Sequence, residues 1–146
     1  MSLKSLLSIN FNQWCWLIEA YFRLWRAHFK IKLLNTNWLR SEIEQTNQGP
    51  FEVKVQPNKA SAIDVAVLMQ ESVRLAARLH LFATDCLPKS IVLKEMLVAR
   101  GINAQLCLGV NSAEDNIKSH AWVEVDSIMI GEPETVNKDF HMVSKP

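Results

Sequence analysis

Large hydrophobic residues recur every three or four positions between residues 12 and 34, which is the period of an α-helix. The members of this series are Trp14, Leu17, Ile18, Tyr21, Leu24, Trp25 and Phe29. The pattern predicts a long helix with a wide apolar face. A second helix is predicted from about Ser61 to Phe82, because Ser61 and Asp64 resemble a capping box ahead of an apolar run.

Glycine and proline residues interrupt the chain between residues 35 and 59. Gly49, Pro50 and Pro57 break any regular element, and only residues 51–55 alternate as a short strand does. We therefore expect a connector here that is only partly ordered.

A third helix is predicted from about Pro88 to Arg100. Proline suits the first turn of a helix, because the N–H group that it lacks would have no acceptor there. Gly101 suits the position just after the C-terminus of the helix. Cys86 is thus placed at or just before the N-terminus of this helix.

Three short segments after this helix alternate between apolar and polar side chains, as half-buried strands do. They are residues 102–110, 120–125 and 128–130, and the Asp126-Ser127 pair between the last two is a hairpin signal. Helices followed by strands predict an α+β fold with a small antiparallel sheet.

The chain has 146 residues, of which 49% are hydrophobic and 21% charged, and this fits one globular domain. Its net charge of +1 predicts no general affinity for nucleic acid. The most membrane-like window, residues 14–25, is too short to span a bilayer and contains Glu19 and Arg23. We therefore expect neither a transmembrane helix nor a signal peptide.

The three cysteines, Cys15, Cys86 and Cys107, are an odd number without disulfide-like spacing, so at least one is a free thiol or pairs with another chain. This indicates a reducing compartment, and we expect a cytoplasmic protein. Cys15 and Cys107 are interpreted as buried small hydrophobic residues. No CxxC or HxxxH spacing is present, so we expect no metal site and no cofactor.

Charge is distributed unevenly, since residues 1–40 carry +5 and residues 111–146 carry −4. One interpretation is that the basic residues form the solvated face of the first helix while its tryptophans pack on the core. Another is that the same helix is a docking surface for a partner, because Trp and Arg are favoured at interface centres. A third is attachment of residues 12–34 to a membrane surface.

Cys86 is placed where a thiol becomes reactive. A helix N-terminus carries about half a positive charge and N–H groups without acceptors, and both stabilise a thiolate over a thiol. The same N–H groups can hold the oxyanion that develops in acyl transfer. On position alone, Cys86 can equally be a packed small residue.

His120 opens a predicted strand and is the candidate general base, because imidazole can deprotonate a thiol and later protonate a leaving amine. A carboxylate would orient this imidazole, and hairpin pairing makes Glu132 the candidate. With a three-residue loop, His120 lies opposite Glu132. With a two-residue loop, His120 faces Pro133 and Glu132 lies on the other face of the sheet. The sequence leaves both registers open.

These residues stand in motifs that resemble a known family. The motifs are DCLPKS at residues 85–90, LVARGI at 97–102, LCLGV at 106–110 and SHAWVEVD at 119–126. Together they resemble the transglutaminase-like cysteine proteases that mature lasso peptides, over about residues 60–135 and more loosely at the N-terminal helix. The resemblance implies one papain-like or transglutaminase-like domain over residues 1–146. In this domain residues 1–56 are a helical region and connector, and residues 57–146 are the catalytic core.

The resemblance also implies a reaction and its residues. Cys86 would attack a peptide carbonyl, form an acyl-enzyme and release the leader from a ribosomally made lasso precursor, with His120 as the base. In the family an Asp usually fills the third place of the triad. The matching position here is Glu132, with Glu134 two residues on, and Asp126 is interpreted as a turn residue.

Members of this family commonly work beside a separate leader-recognition protein, and the cleaved core passes to an ATP-dependent cyclase. The resemblance therefore implies the precursor peptide and a leader-recognition protein as partners, with the cyclase as a further one. The chain is too short to hold a leader-binding module beside the protease, so we expect recognition in trans.

Two other functions stay open at this point. The same nucleophile could transfer the acyl group to an amine, as transglutaminases do. The domain could also be a catalytically idle module that presents the precursor to another enzyme, and the glutamate in place of aspartate favours this interpretation.

Overall fold

The computed structural model describes residues 11–33, 59–82, 84–111, 118–131 and 141–144. These residues form three helices, α1 (Phe11–Leu33), α2 (Lys59–Leu79) and α3 (Cys86–Val98). Four strands follow, β1 (Ala104–Asn111), β2 (Lys118–Val125), β3 (Ile128–Met129) and β4 (His141–Ser144). The predicted α+β class, with helices before a small antiparallel sheet, is confirmed. The predicted strand at residues 51–55 lies outside the described residues.

The bounds of α2 differ from the prediction at both ends. The helix already begins at Lys59, so Ser61 and Asp64 lie inside it and do not form its capping box. It ends at Leu79 rather than near Phe82. The chain turns there, and the backbone N–H of Phe82 donates a hydrogen bond of 3.4 Å to Nδ1 of His80.

Gly101 ends α3 as predicted. Its φ of 76° lies in the left-handed region that favours glycine. The N–H of Gly101 donates to the carbonyl of Val98 at 2.9 Å, and the N–H of Ile102 donates to the carbonyl of Leu97 at 3.0 Å. These bonds satisfy carbonyl groups that a helix end otherwise leaves without donors. The chain then enters β1.

The sheet is antiparallel in the order β3-β2-β1-β4. The central pair, β1 and β2, is in register from Ala104 opposite Val125 to Asn111 opposite Lys118. The edge strand β4 was not predicted, and it pairs with β1 through a register shift between Leu108 and Gly109. A strand of four residues offers too short an alternation for its sequence alone to reveal it.

One core joins the three helices to one face of the sheet. The first two helices contribute alanines together with larger apolar residues, and α3 and β2 contribute larger apolar residues. Its members include Ala20, Leu24, Ala27, Ala62, Ala66, Met69, Val73, Leu93, Met96, Leu97, Val123 and Val125. A smaller cluster of Cys107 and Trp122, with Met129 packed against it, lies apart from this core.

The buried face of α1 is narrower than the sequence predicts. Leucines and alanines form this face, namely Leu17, Ala20, Leu24 and Ala27, and no aromatic residue of the helix is among them. Trp14 and Ile18 are 43% and 54% exposed. Cys15 is exposed, which corrects the expectation of a buried position, whereas Cys107 is buried as expected. None of the described helices is long and apolar enough to cross a membrane.

Ion pairs join α1 to α3. Both Arg23 and Arg26 of α1 lie 3.1 Å from the carboxylate of Glu95 on α3. Glu19 of α1 lies 2.9 Å from Arg23 and 2.6 Å from Arg100, which follows α3. Part of the positive charge of the N-terminal region is therefore paired with carboxylates of the same protein.

The carboxyl group of Glu19 is held in its charged form by this network. Its burial alone would raise the pKa, but the hydrogen bond and charge of Arg100, with a further contribution from Arg23, outweigh the burial and lower the pKa from 4.5. The charge of Glu19 is thus coupled to the packing of α1 on α3.

Candidate active site

Cys86 is the first residue of α3, and it follows the extended residue Asp85, whose ψ is 178°. The helix thus begins two residues before the predicted start, with Pro88 in its third position. Proline is tolerated there because the first N–H groups of a helix have no acceptor within it. Cys86 is half-buried, and all three cysteines of the chain are free thiols. The prediction that Cys86 lies at a helix N-terminus is confirmed.

His120 lies on β2, three residues into the strand. Its ring stacks on that of Trp122, with ring centroids 6.1 Å apart and planes 19° from parallel. Trp122 is 2% exposed, and its indole Nε1 donates a hydrogen bond of 3.0 Å to Glu124. His120 therefore lies against a buried aromatic ring.

Cys86 and His120 line the same cavity, which has a volume of about 260 Å³. Its other walls come from α2, from the first turns of α3, from β2 and from the turn after β3. The remaining lining residues are Gln70, Arg74, Lys89, Ser90, Ala121 and Gly131. The volume is slightly below the range of about 300–1,000 Å³ of small-molecule pockets. The fold brings the predicted nucleophile and base to one site, and their catalytic roles stay predictions.

Ser90 connects the two elements that carry Cys86 and His120. Its hydroxyl donates a buried hydrogen bond of 2.9 Å to the carbonyl oxygen of Ala121, the residue after His120. Because Ser90 lies one turn along α3 from Cys86, this bond joins the first turns of α3 to the start of β2. The sequence motif contained Ser90 but gave no sign of its partner.

The hairpin between β2 and β3 has a two-residue loop. Val125 pairs with Ile128, and both loop residues have positive φ, 51° at Asp126 and 65° at Ser127, as in a type I′ turn. The interpretation of Asp126 as a turn residue is thus confirmed, and the three-residue loop is wrong. The pairing scheme that placed Glu132 opposite His120 assumed a three-residue loop, so it does not apply.

The two candidates for the orienting carboxylate, Glu132 and Glu134, both lie outside the described residues. The last described residue before them is Gly131, which lines the cavity. Its φ of 71° takes the chain out of the extended conformation of the hairpin. The direction that the chain takes after β3 therefore does not follow from the hairpin register.

Gln70 and Gly131 form a contact that sequence reasoning missed. A Cβ atom at position 131 would lie 2.5 Å from Cγ of Gln70 and 2.9 Å from its Nε2, so any larger residue there would require the Gln70 side chain to move. The two residues lie far apart in the sequence, and no motif connects them. Within the described residues, no group of three or more His, Cys, Asp or Glu side chains could hold a metal ion.

A fold with helices before a small sheet, a cysteine at a helix N-terminus and a histidine on a neighbouring strand is typical of papain-like and transglutaminase-like proteins. The family model of the transglutaminase-like superfamily matches residues 24–145. The chain belongs to this superfamily, and the resemblance that the motifs indicated is confirmed.

A curated relative extends the comparison. The microcin J25-processing protein McjB of Escherichia coli is 33% identical over 67 residues, which are 46% of this chain and 31% of McjB. The chain thus matches less than a third of the length of this relative. No solved structure matches the chain.

Proposed function

We propose that the protein is a cysteine peptidase that removes the leader from a ribosomally synthesised lasso precursor peptide. The observation that carries this proposal is that Cys86, at the N-terminus of α3, and His120, on β2, line one cavity. The similarity to a protein named for processing microcin J25 supports a peptide precursor as the substrate.

The proposed reaction proceeds through an acyl-enzyme. His120 takes the proton of the Cys86 thiol, and the sulfur attacks the carbonyl carbon of the scissile bond. The electron pair of the C=O bond moves to the oxygen and then returns as the C–N bond breaks. The leaving amine takes its proton from His120. Water, deprotonated by His120, then attacks the thioester and releases the second peptide and the thiol.

A carboxylate is proposed to orient His120, and Glu132 is the first candidate for it, with Glu134 as the second. Gly131 lines the cavity, so the chain enters the residues that carry both glutamates from the site itself. Replacing each glutamate with glutamine tests this. The true partner of His120 should lower kcat and change its pH dependence, whereas the other replacement should do neither.

The decisive experiment uses purified chain, precursor peptide and leader-recognition protein. Wild-type protein should give two peptides by mass spectrometry, and Cys86→Ala should give none while its circular dichroism is unchanged. A cross-linked product would instead establish acyl transfer to an amine. Undiminished cleavage by Cys86→Ala would contradict the proposal.

A second experiment needs no substrate and tests whether the domain is a catalytically idle module. Cys15 is an exposed thiol within α1, so it serves as a reference in the same chain. Iodoacetamide should alkylate Cys86 faster than Cys15 at neutral pH, as peptide mass spectrometry would show, because a site at a helix N-terminus beside an imidazole favours the thiolate. Equal or slower reaction of Cys86 would favour a module without catalysis.

The leader-recognition protein is proposed to dock on α1. An exposed row of large apolar side chains runs along this helix, formed by Phe11, Trp14, Ile18 and Phe22. Arg23 and Arg26 contact Glu95, so the apolar row rather than these arginines would supply the contact. Phe22→Lys should slow cleavage that depends on the recognition protein, and Leu81→Lys, at an exposed position outside the helices, should not.

The remaining partners and the location belong to the same proposal. The ATP-dependent cyclase would receive the released core peptide. Three free thiols are consistent with the reducing cytoplasm.

A further inference from the structure

The α2 wall of the cavity carries two polar side chains, Gln70 and Arg74. Arg74 lies 3.4 Å from the carboxylate of Glu71 on the same helix. Gln70 packs instead against Gly131, which follows β3, and a Cβ atom at position 131 would lie 2.5 Å from Cγ of Gln70. The side chain of Gln70 therefore lies beside Gly131 at the wall of the cavity.

Acyl transfer at Cys86 requires hydrogen-bond donors for the oxygen of the attacked carbonyl. The first N–H groups of α3 can supply one, since helix starts leave them without acceptors. A second donor must come from another wall of the cavity. The hydroxyl of Ser90 already donates to Ala121, and the imidazole of His120 is needed for proton transfer.

A primary amide suits this second position. It is neutral at all working pH values and offers two N–H donors, so it stabilises an oxyanion without changing the charge that the thiolate and imidazole require. Lys89 also lines the cavity, but it lies on α3, the helix that carries Cys86 itself. Gln70 lies on a different helix and can therefore approach the carbonyl oxygen from a second side.

We propose that the side-chain amide of Gln70, which packs against Gly131, is the second oxyanion donor of the Cys86 site. Its Nε2–H donates to the carbonyl oxygen as the Cys86 sulfur bonds to the carbonyl carbon and the C=O electron pair moves onto oxygen. The bond is released when that pair re-forms C=O and expels the leaving group. This inference rests on the acyl-enzyme chemistry proposed above.

Two reagents separate oxyanion stabilisation from thiol activation. p-Nitrophenyl acetate acylates a thiolate through a tetrahedral oxyanion and expels p-nitrophenolate. Iodoacetamide alkylates the same sulfur by displacing iodide, and no oxyanion forms. The ratio of the two rate constants at Cys86, measured in a Cys15→Ser background, therefore reports the oxyanion donors alone.

Gln70→Met is the informative variant, because methionine has a similar length but no N–H group. It should lower the rate of acylation by p-nitrophenyl acetate by about 10²–10³-fold, as loss of one oxyanion donor does, and leave the rate of alkylation unchanged. Gln105→Met is the matched control on the exposed side of β1, and it should change neither rate.

Gly131→Ala tests the contact between Gln70 and Gly131 by changing Gly131 instead of Gln70. The added Cβ must displace the Gln70 side chain, so this variant should also lower acylation and spare alkylation. Gly101→Ala is its control, because Gly101 has a similar φ of 76° but lies outside the cavity. Both alanine variants carry the backbone strain, and only Gly131→Ala should change the ratio of the two rates. In the Gln70→Met background, Gly131→Ala should cause little further loss.

Each other result overturns the assignment. Unchanged acylation in Gln70→Met would exclude Gln70 as a donor, and a larger loss in Lys89→Met would give the role to Lys89. A parallel loss of acylation and alkylation, with a shifted pH profile, would make Gln70 a positioning residue for the Cys86 and His120 pair. If wild-type Cys86 reacts with neither reagent faster than a free thiol, the proposed function fails and the Gln70 assignment fails with it.

Discussion

Ser90 of α3 donates a hydrogen bond of 2.9 Å to the carbonyl oxygen of Ala121, the residue that follows His120 on β2. Ser90 itself is 8% exposed, so water does not readily replace it as the donor. This bond joins the helix that presents Cys86 to the strand that presents His120. It thereby fixes the relative position of the two elements at the site.

Ser90→Ala should reduce both stability and reactivity. The carbonyl oxygen of Ala121 would lose a buried donor, which costs about 1–3 kcal/mol in the free energy of unfolding. The first turns of α3 would also be free to shift against β2, so the rate of Cys86 alkylation at neutral pH should fall. Urea unfolding measures the first effect, and iodoacetamide kinetics measure the second.

Ser72→Ala is the matched control for this change. Ser72 is also a buried serine, but its hydroxyl donates to the carbonyl of Leu68 within α2, at 3.0 Å. That bond lies within a single helix and connects no separate elements, and Ser72 does not line the cavity. Ser72→Ala should therefore leave the alkylation rate of Cys86 unchanged. An equal fall of this rate in both variants would show that general destabilisation, and not the α3–β2 connection, is its cause.

The positions of Cys86 and His120 in the fold could be predicted from the sequence because their signals are local. Proline and glycine mark the start and end of α3, and this puts Cys86 at its N-terminus. His120 opens an alternating segment that can only be a strand of a half-buried sheet. Neither conclusion needs information about residues that are distant in the sequence.

The walls of the site could not be predicted in this way. The contact of Gln70 with Gly131 and the bond from Ser90 to Ala121 both depend on how separate elements pack. A hydrophobic pattern states that a residue is buried or exposed, but it does not state which residue it meets. The same limit applies to α1, where the pattern of large apolar residues did not show that leucines and alanines, and no aromatic residue, would form the buried face.

Ser127→Gly should stabilise the protein. Ser127 has a φ of 65° in the type I′ turn, a conformation in which glycine has no steric cost. Relief of this strain stabilises the folded state, whereas the greater entropy of the unfolded glycine chain opposes the gain. The net effect should raise the free energy of unfolding by about 0.5–1 kcal/mol. The Tm should rise by about 1–4 °C, which scanning calorimetry can resolve.

Ser119→Gly is the control for this substitution. Ser119 is an exposed residue of β2 that pairs with Val110 and has extended backbone geometry. Glycine inside a strand weakens it, so the Tm of Ser119→Gly should fall. A fall in Tm for Ser127→Gly as well would mean that the turn gains nothing from glycine.

Glu19 should contribute to stability in a way that depends on pH. Its pKa in the folded state lies below 4.5, although burial opposes this, because Arg100 and Arg23 favour the charged form. The charged carboxylate therefore stabilises the folded state fully above pH 4.5, and this contribution is lost as the pH falls through the folded-state pKa. Glu19→Gln should lower the free energy of unfolding at neutral pH by about 1 kcal/mol.

The difference between Glu19→Gln and wild type should disappear on acidification, when both chains carry an uncharged side chain at this position. Urea unfolding at neutral pH and at about pH 3 measures it. Glu71→Gln is the control, since Glu71 is more exposed and its contact with Arg74 is longer, at 3.4 Å, than the 2.6 Å between Glu19 and Arg100. Glu71→Gln should lower the free energy of unfolding at neutral pH by less than Glu19→Gln does. A Glu19→Gln effect that persists unchanged in acid would show that the shape of the side chain, and not its charge, connects α1 to Arg100.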